Sequence, residues 1–300
     1  MDDIIKKDIE EIKNNLLEFE DEIKDHTFLI TGGAGFLGSW FCDVVNAFGG
    51  RIICVDDLSS GSEENIKHLL GRGNFKLIRQ DICEFSIDDD VDYVVNMACI
   101  ASPPLYQKYP IKTLDTNVLG TRNVLEFAKR KKVKRFLFTS TSEVYGDPEE
   151  HPQKETYWGR VNPIGPRACY DESKRFAEAL ALSYFRKYGL DVRIVRIFNT
   201  YGPGMKHDDG RVIPNFITQA LRGEAITVYG DGKQTRSFCY IEDMVEGLER
   251  VMFSEGISGE VFNLGNPEEY TVMDVARIVK ELTGSLSCLL YTSPSPRDRG

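Results

Sequence analysis

The chain has only four histidines and no cysteine pair spaced C-x-x-C, so a zinc site built from neighbouring ligands is excluded and no metal is expected. Its seven cysteines (42, 54, 83, 99, 169, 239 and 288) are odd in number and scattered. That argues against a disulfide framework and for a reduced, cytoplasmic setting. No apolar run approaches the ~18 residues that a membrane helix needs, and no secretory leader is expected at the start. Basic charge is also short. Lys and Arg number 37 against 47 Asp and Glu, a net charge of −10, which speaks against a general nucleic-acid binder. The imbalance is local, because the first 25 residues hold ten acids and four lysines. With 41% apolar and 28% charged residues in 300, the composition is that of a folded chain with a sizeable core.

Residues 2–25 contain no Gly or Pro, and Ile5, Ile9, Ile12, Leu16, Phe19 and Ile23 recur at three- to four-residue steps. This predicts one amphipathic helix over 1–25, packed on the body or on a partner subunit. Six short β-branched runs follow, within HTFLIT, RIICVDD, NFKLIRQDI, VDYVVNMA, VKRFLFTSTSEVYG and LDVRIVRIFNTYG, with helical patterns between them. Alternation of this kind predicts a doubly wound parallel α/β sheet, a Rossmann domain, over 26–202. A smaller mixed α/β lobe is expected over 203–284. The stretch 285–300, SLSCLLYTSPSPRDRG, shows no period, and two readings stand for it: non-native sequence after a truncated frame, or a disordered tail. Lys129 to Arg135 holds six bases in seven residues. A solvated helix C-terminus accounts for it better than nucleic-acid binding.

Gly32-Gly33-Ala34-Gly35-Phe36-Leu37-Gly38 follows the first strand and opens a helix. Glycine allows the tight turn and lets backbone N–H groups approach a pyrophosphate at the positive helix end. Asp56 lies at the end of the second strand, where a carboxylate accepts from ribose hydroxyls and repels a 2′-phosphate, so the expected cofactor is NAD. Tyr170 and Lys174, four apart on a helix, share one face. A nearby ammonium favours tyrosinate, and such a tyrosine can take a hydroxyl proton while hydride leaves the same carbon. Thr139-Ser140-Thr141-Ser142-Glu143 ends a strand at the side where open α/β sheets bind ligands.

At this point the sequence resembles the extended short-chain dehydrogenase/reductases that act on nucleotide sugars, the NAD-dependent epimerase/dehydratase family. Within them it resembles the decarboxylases of UDP-glucuronate. The likeness covers roughly 26–284 and rests on TSTSEVYGDPEEHPQ, VNPIGPRACYDESKR, RIFNTYGP, DGRV, TVYGDGKQTRSFCY and NLGNPEE. The resemblance implies a homodimer built around two helices per subunit, with NAD held tightly and recycled within each turnover. It implies a UDP-sugar substrate, with C4 oxidation, loss of the C5 carboxylate and re-reduction yielding UDP-xylose. A 4,6-dehydratase carries Asp where Ser142 stands, and a 4-epimerase usually lacks the acid found here as Glu143. These two activities are the nearest rivals, and a silent dinucleotide-binding scaffold is a rival of another class.

Carried over position by position, Tyr170, Lys174, Thr141 and Glu143 are the expected catalytic set. Gly32, Gly35, Phe36, Leu37, Gly38, Asp56, Asp57, Ser59, Ser60, Gly61, Asp81, Ile82, Met97, Thr116, Thr139 and Thr200 are expected to contact NAD, with Tyr170 and Lys174. Ser142, Asn199, Arg211, Tyr229 and Arg236 are the expected substrate-binding set; for each arginine a surface ion pair is the alternative. Asp115 departs from the resemblance, standing where a lysine is common, and so does the lack of an Arg-rich C-terminal segment. Both weaken the assignment of the exact substrate.

Overall fold

Five of the six runs become strands whose side chains are largely buried on both sides of one sheet, and the run NFKLIRQDI forms an edge strand that leaves Lys76 exposed. The computed structural model describes residues 2–292. Its main sheet contains β1 (Thr27–Thr31), β2 (Arg51–Val55), β3 (Phe75–Ile78), β4 (Tyr93–Asn96), β5 (Arg135–Thr141), β6 (Val192–Ile197) and β7 (Val261–Leu264). All neighbours are parallel, in the order β3-β2-β1-β4-β5-β6-β7. The order reverses between β1 and β4, and there the carboxyl ends of the strands open a crevice.

Among the described residues, the seven longest helices flank the strands or build the lobe: α1 (Asp3–Asn15), α2 (Phe36–Ala47), α3 (Thr121–Lys131), α4 (Ala168–Tyr188), α5 (Val212–Arg222), α6 (Ile241–Phe253) and α7 (Val272–Thr283). Successive side chains of β1 point to opposite faces. Phe28 and Ile30 join Ile12, Phe41, Val44 and Leu248 on the face covered by α1, α2 and α6. Leu29 joins Val94, Leu125, Phe136 and Ala181 on the face covered by α3 and α4.

The N-terminal segment packs on the body, yet it is not one helix. It breaks at Leu16 into a 3₁₀ turn, Leu17–Phe19, and a short helix, Glu20–Ile23. A straight helix of that length would run some 35 Å, carrying Ile23 past the core. The break lets Phe19 meet Phe253, with ring centroids 5.9 Å apart, and buries Ile23 completely. Arg250 fastens the bend by donating to the Asn15 carbonyl at 2.8 Å and pairing with Glu18 at 2.8 Å.

The lobe has its own core of Phe216, Ala220, Ile226, Val228, Val275 and Val279. Its expected extent, 203–284, takes in two elements that return to the sheet: α6 covers one face, and β7 pairs with β6 along the edge. The period of β7 was legible, but its partner was not, because pairing is a long-range choice. Within the expected tail, Leu289–Thr292 forms a strand parallel to Ile226–Tyr229. Four residues are too few to display a period in sequence. Residues 293–300 lie outside the described residues.

The turn from β1 into α2 fixes the floor of the crevice. Gly32 has φ +70°, and a Cβ there would stand 2.7 Å from the Ala98 nitrogen. Gly38, in the first turn of α2, packs so closely that a Cβ would fall 2.2 Å from the Gly32 carbonyl oxygen. The buried Asp56 carboxylate staples the turn, accepting from Ala34 N–H at 3.0 Å and Leu58 N–H at 2.8 Å. On α6, Glu249 is fully buried and neither carboxylate oxygen has a hydrogen-bond partner. Burial pushes its carboxyl well above the usual range.

Two predictions follow from these contacts. An exposed helical Gly→Ala change gains about 1 kcal/mol, but Gly38→Ala drives a methyl into backbone, so it destabilises by roughly 1–3 kcal/mol in urea unfolding and lowers NAD affinity in titration. The folded state holds the Glu249 proton more tightly than the unfolded chain, so that residue costs stability increasingly as pH rises above the ordinary glutamate value. Glu249→Leu accordingly raises the urea midpoint more at about pH 8 than at about pH 5.

Candidate active site

The loops that follow β1, β2, β3, β4, β5 and β6 enclose a cleft of 440 Å³ at the carboxyl edge of the sheet. Gly32, Gly35, Phe36, Leu37 and Gly38 form its floor. Helix α2 starts at Gly35 with no side chain capping its first turn. Its N–H groups and positive dipole end are therefore open to an anion. Bare glycine backbone beside an uncapped helix start suits a pyrophosphate, so the residues present fit a dinucleotide.

One half of the cleft is lined by Asp56, Asp57, Ser59, Ser60, Asp81, Ile82 and Met97. Asp56 was expected to face ribose hydroxyls. Each of its oxygens already accepts one backbone N–H, which leaves one lone pair apiece. Burial raises its carboxyl above the usual value despite those two bonds. Asp57 behaves oppositely: burial pushes it up, but the Lys112 ammonium and the Ser59 N–H and hydroxyl outweigh burial and hold it low. Gly61 does not line the cleft. It backs the floor, where a Cβ would lie 3.0 Å from the Ala34 carbonyl. Asp115 is likewise not a lining residue; its charge acts on Cys83, behind Asp81.

The other half gathers Thr116, Thr139, Thr141, Ser142, Glu143, Tyr170, Lys174, Asn199, Thr200 and Arg211. Thr141 caps the turn Ser142–Tyr145, accepting from Glu143 N–H at 3.2 Å. Its hydroxyl also pulls the Tyr170 phenol down. Lys174 lines the same cleft as Tyr170. The ammonium donates to the Thr139 carbonyl at 2.7 Å and lies 4.9 Å from the Phe138 ring. Burial raises Tyr170 well above the ordinary phenol, Cys99 adds to that, and Thr141 and Arg211 pull it back. Four-residue spacing puts both side chains on one face, and the strand carbonyl holds the ammonium there.

Sequence reasoning also passed over a network beside this tyrosine. Tyr106 stacks on Tyr170, with centroids 5.0 Å apart and planes within 8°. Arg167 donates to the Tyr106 hydroxyl at 3.1 Å, pairs with Glu143, and lies 3.5 Å from Asp171. Asp171 is raised to about 6 by burial, against the pull of Arg167. Arg167 stood in the run GPRACY, one turn before Tyr170, and that helical neighbourhood was a usable signal. Tyr106, an isolated aromatic in a crossover, offered none. Among the substrate set, Asn199 donates to the Ser237 carbonyl at 3.2 Å and Arg211 grips both Asp209 carboxylate oxygens through Nε and Nη2. Tyr229 and Arg236 lie on lobe strands outside the lining. Among the described residues no cluster of three metal-ligating side chains occurs.

Comparison with known proteins bears on this geometry. The sequence profile of the NAD dependent epimerase/dehydratase family matches residues 28–265. The chain is 55% identical to UDP-glucuronic acid decarboxylase 1 of Arabidopsis thaliana over 254 residues, which are 85% of this chain and 58% of that protein. It is 54% identical to UDP-glucuronic acid decarboxylase 6 of the same plant over 275 residues, 90% of this chain and 79% of that one. Among solved structures, the epimerase Mth375 of Methanothermobacter thermautotrophicus superposes with a TM-score of 0.85 at 29% identity, covering 94% of this chain and 84% of its own. An uncapped helix above a glycine floor and a buried tyrosine beside a strand-end threonine are thus joined to a family-wide match, and the chain belongs to the NAD dependent epimerase/dehydratase family.

Proposed function

We propose that this chain converts UDP-glucuronate to UDP-xylose with NAD as a recycled cofactor. One observation carries the reading: Thr141, Ser142, Glu143 and Tyr170 meet at the end of β5 within the cleft. Identity of 54–55% to proteins named UDP-glucuronic acid decarboxylases supports the substrate. Gly32, Gly35, Gly38, Asp56, Asp57, Asp81, Met97, Thr116, Thr139 and Thr200 are the residues that would hold NAD. When bound, NAD supplies the hydride acceptor for C4 of the sugar and later returns that hydride.

The chain's own groups do the rest. Tyr170 takes the proton of the 4-hydroxyl, and Thr141, beside it in the cleft lining, orients that hydroxyl. Arg211 and the ammonium of Lys174 are the positive charges that favour phenolate. Oxidation places a ketone β to the C5 carboxylate, so the bond from C5 to the carboxylate breaks and CO₂ departs. C5 takes a proton from water after the electron pair has passed to the C4 carbonyl oxygen as an enolate. The protonated Tyr170 then donates a hydrogen bond to that oxygen. Glu143, fixed by Arg167, is assigned to the C5 side, and Ser142 in place of an acid leaves no general acid for expelling a C6 hydroxyl. Asn199 and Arg211 are assigned to the UDP moiety, the guanidinium matching diphosphate oxygens in fork geometry. Tyr229 and Arg236 are assigned to it as well, approaching from the lobe.

We further assign a homodimer. Ile111, Leu119, Phe176 and Tyr188 are large apolar side chains left exposed on α4 and on the crossover before α3. The seven free cysteines are the basis for placing the protein in the cytoplasm. No helix among the described residues is long and apolar enough to cross a membrane.

Incubating the NAD-loaded protein with UDP-glucuronate, dTDP-glucose and UDP-glucose, followed by mass spectrometry, tests the activity. Loss of CO₂ from the first is expected; loss of water from the second, or epimerisation of the third, overturns the reading. Tyr170→Phe is expected to cut turnover at least ~100-fold while bound NAD, read after denaturing release, stays at the wild-type level.

A further inference from the structure

Three segments from different parts of the sheet converge beside the acidic half of the cleft. Asp57 follows β2, and Asp81 follows β3; both line the cleft. The third segment is the crossover from β4 to α3, whose short helix Pro110–Asp115 carries Lys112. The Lys112 ammonium stands 2.5 Å from Asp57 Oδ2 and 3.9 Å from Asp81 Oδ2. Each carboxylate is already aimed by its own loop. Asp57 Oδ1 accepts from the Ser59 N–H at 2.9 Å and hydroxyl at 2.7 Å, and Asp81 Oδ1 accepts from Cys83 N–H at 2.8 Å. The lysine is therefore the movable member of a preformed cation socket.

The same crossover is fastened at its far end. Ser102 donates to the Asp209 carbonyl at 2.8 Å, and Asp209 in turn holds Arg211. Between the two fastenings lie Tyr106, stacked on Tyr170, and beyond Lys112 comes Thr116, which lines the cleft. A strap pinned at both ends, with residues facing both halves of the cleft, restricts how a long ligand beneath it can leave.

We propose that Lys112 is a clasp for the dinucleotide: its ion pairs with Asp57 and Asp81 tie the crossover over one end of the cleft, and NAD is released when they open. This rests on the reading of the cleft as an NAD site. The ammonium also offsets two of the three carboxylates (Asp56, Asp57, Asp81) that would otherwise face an anionic cofactor. Half-exposed pairs are individually weak and screened by salt, so the clasp governs release without making it irreversible.

The test follows NADH fluorescence on the full chain, with release chased by excess NAD⁺ at low and high ionic strength. Wild-type release is expected to quicken with salt. Lys112→Met raises the low-salt rate roughly threefold to tenfold, the range open to two partly exposed ion pairs, and abolishes most of the salt dependence. Lys112→Arg keeps it, and Asp57→Asn changes release in the same direction as Lys112→Met, carrying the test if the latter fails to fold. Lys76→Met, which removes a surface pair with Asp89 away from the cleft lining, leaves the rate alone. A Lys112→Met protein with the wild-type rate and salt slope overturns the clasp, as does an equal effect from Lys76→Met. Wild-type protein that binds no NADH overturns the reading of the cleft itself, a separate failure.

Discussion

The contact between Gly38 and the carbonyl of Gly32 is the constraint on which the cleft depends, and the Asp56 carboxylate keeps it closed. With the turn shut, α2 begins directly above the end of β1 and directs its unpaired N–H groups into the cleft. The Ala34 carbonyl at the apex also accepts from Ser62 N–H at 2.9 Å and the Asn65 amide at 3.0 Å. The segment after β2 is thereby ordered by the same turn. A carboxylate expected only to greet a ribose is also the bolt of the floor, which explains why it is buried despite its raised titration.

Much of the fold was legible because its signals are local. Apolar runs such as TFLIT and RIICV can only be strands buried on both faces, and helical periods between them require parallel crossovers. The glycine turn and Asp56 are local as well. What sequence did not disclose was set by distant partners. β7 joins β6 only because the chain returns from the lobe, and α1 ends at Leu16 because Phe253, far along the chain, offers Phe19 a place to pack. Glu249 shows the same limit: a glutamate in an amphipathic pattern reads as solvent-facing, yet its helix is covered on that side too.

The candidate site follows this division. Thr141, Ser142, Glu143 and Tyr170 were readable as a strand end and a helix start that topology brings together. Lys174 was placed on the face that meets the cleft, but its bond to the Thr139 carbonyl at 2.7 Å was not legible, because that strand carbonyl is brought to it by the fold. Arg167 was missed although it bridges Glu143, Tyr106 and Asp171, because a bridging role is visible only when all its partners have coordinates. The run Lys129 to Arg135 resolves in the bland direction. Lys131 meets Asp88 and Asp90, Lys134 meets Asp92 and Arg135 meets Glu255, which leaves little of the run's charge for a polyanion.

The return of α6 and β7 to the sheet has a mechanical consequence for the lobe. The backbone passes between the two bodies three times: after β6, on entry to α6, and after β7. Phe198 N–H donates to the Leu264 carbonyl at 2.9 Å, so the first and third passages are stitched together where they leave the sheet. A body hung on one tether can swivel freely, whereas three passages, two of them stitched together, restrict how the lobe can turn against the sheet. Arg211 stands at the start of α5 on the lobe side while Tyr170 sits on α4 against the sheet, so that restriction also limits how far the guanidinium and the phenol can separate.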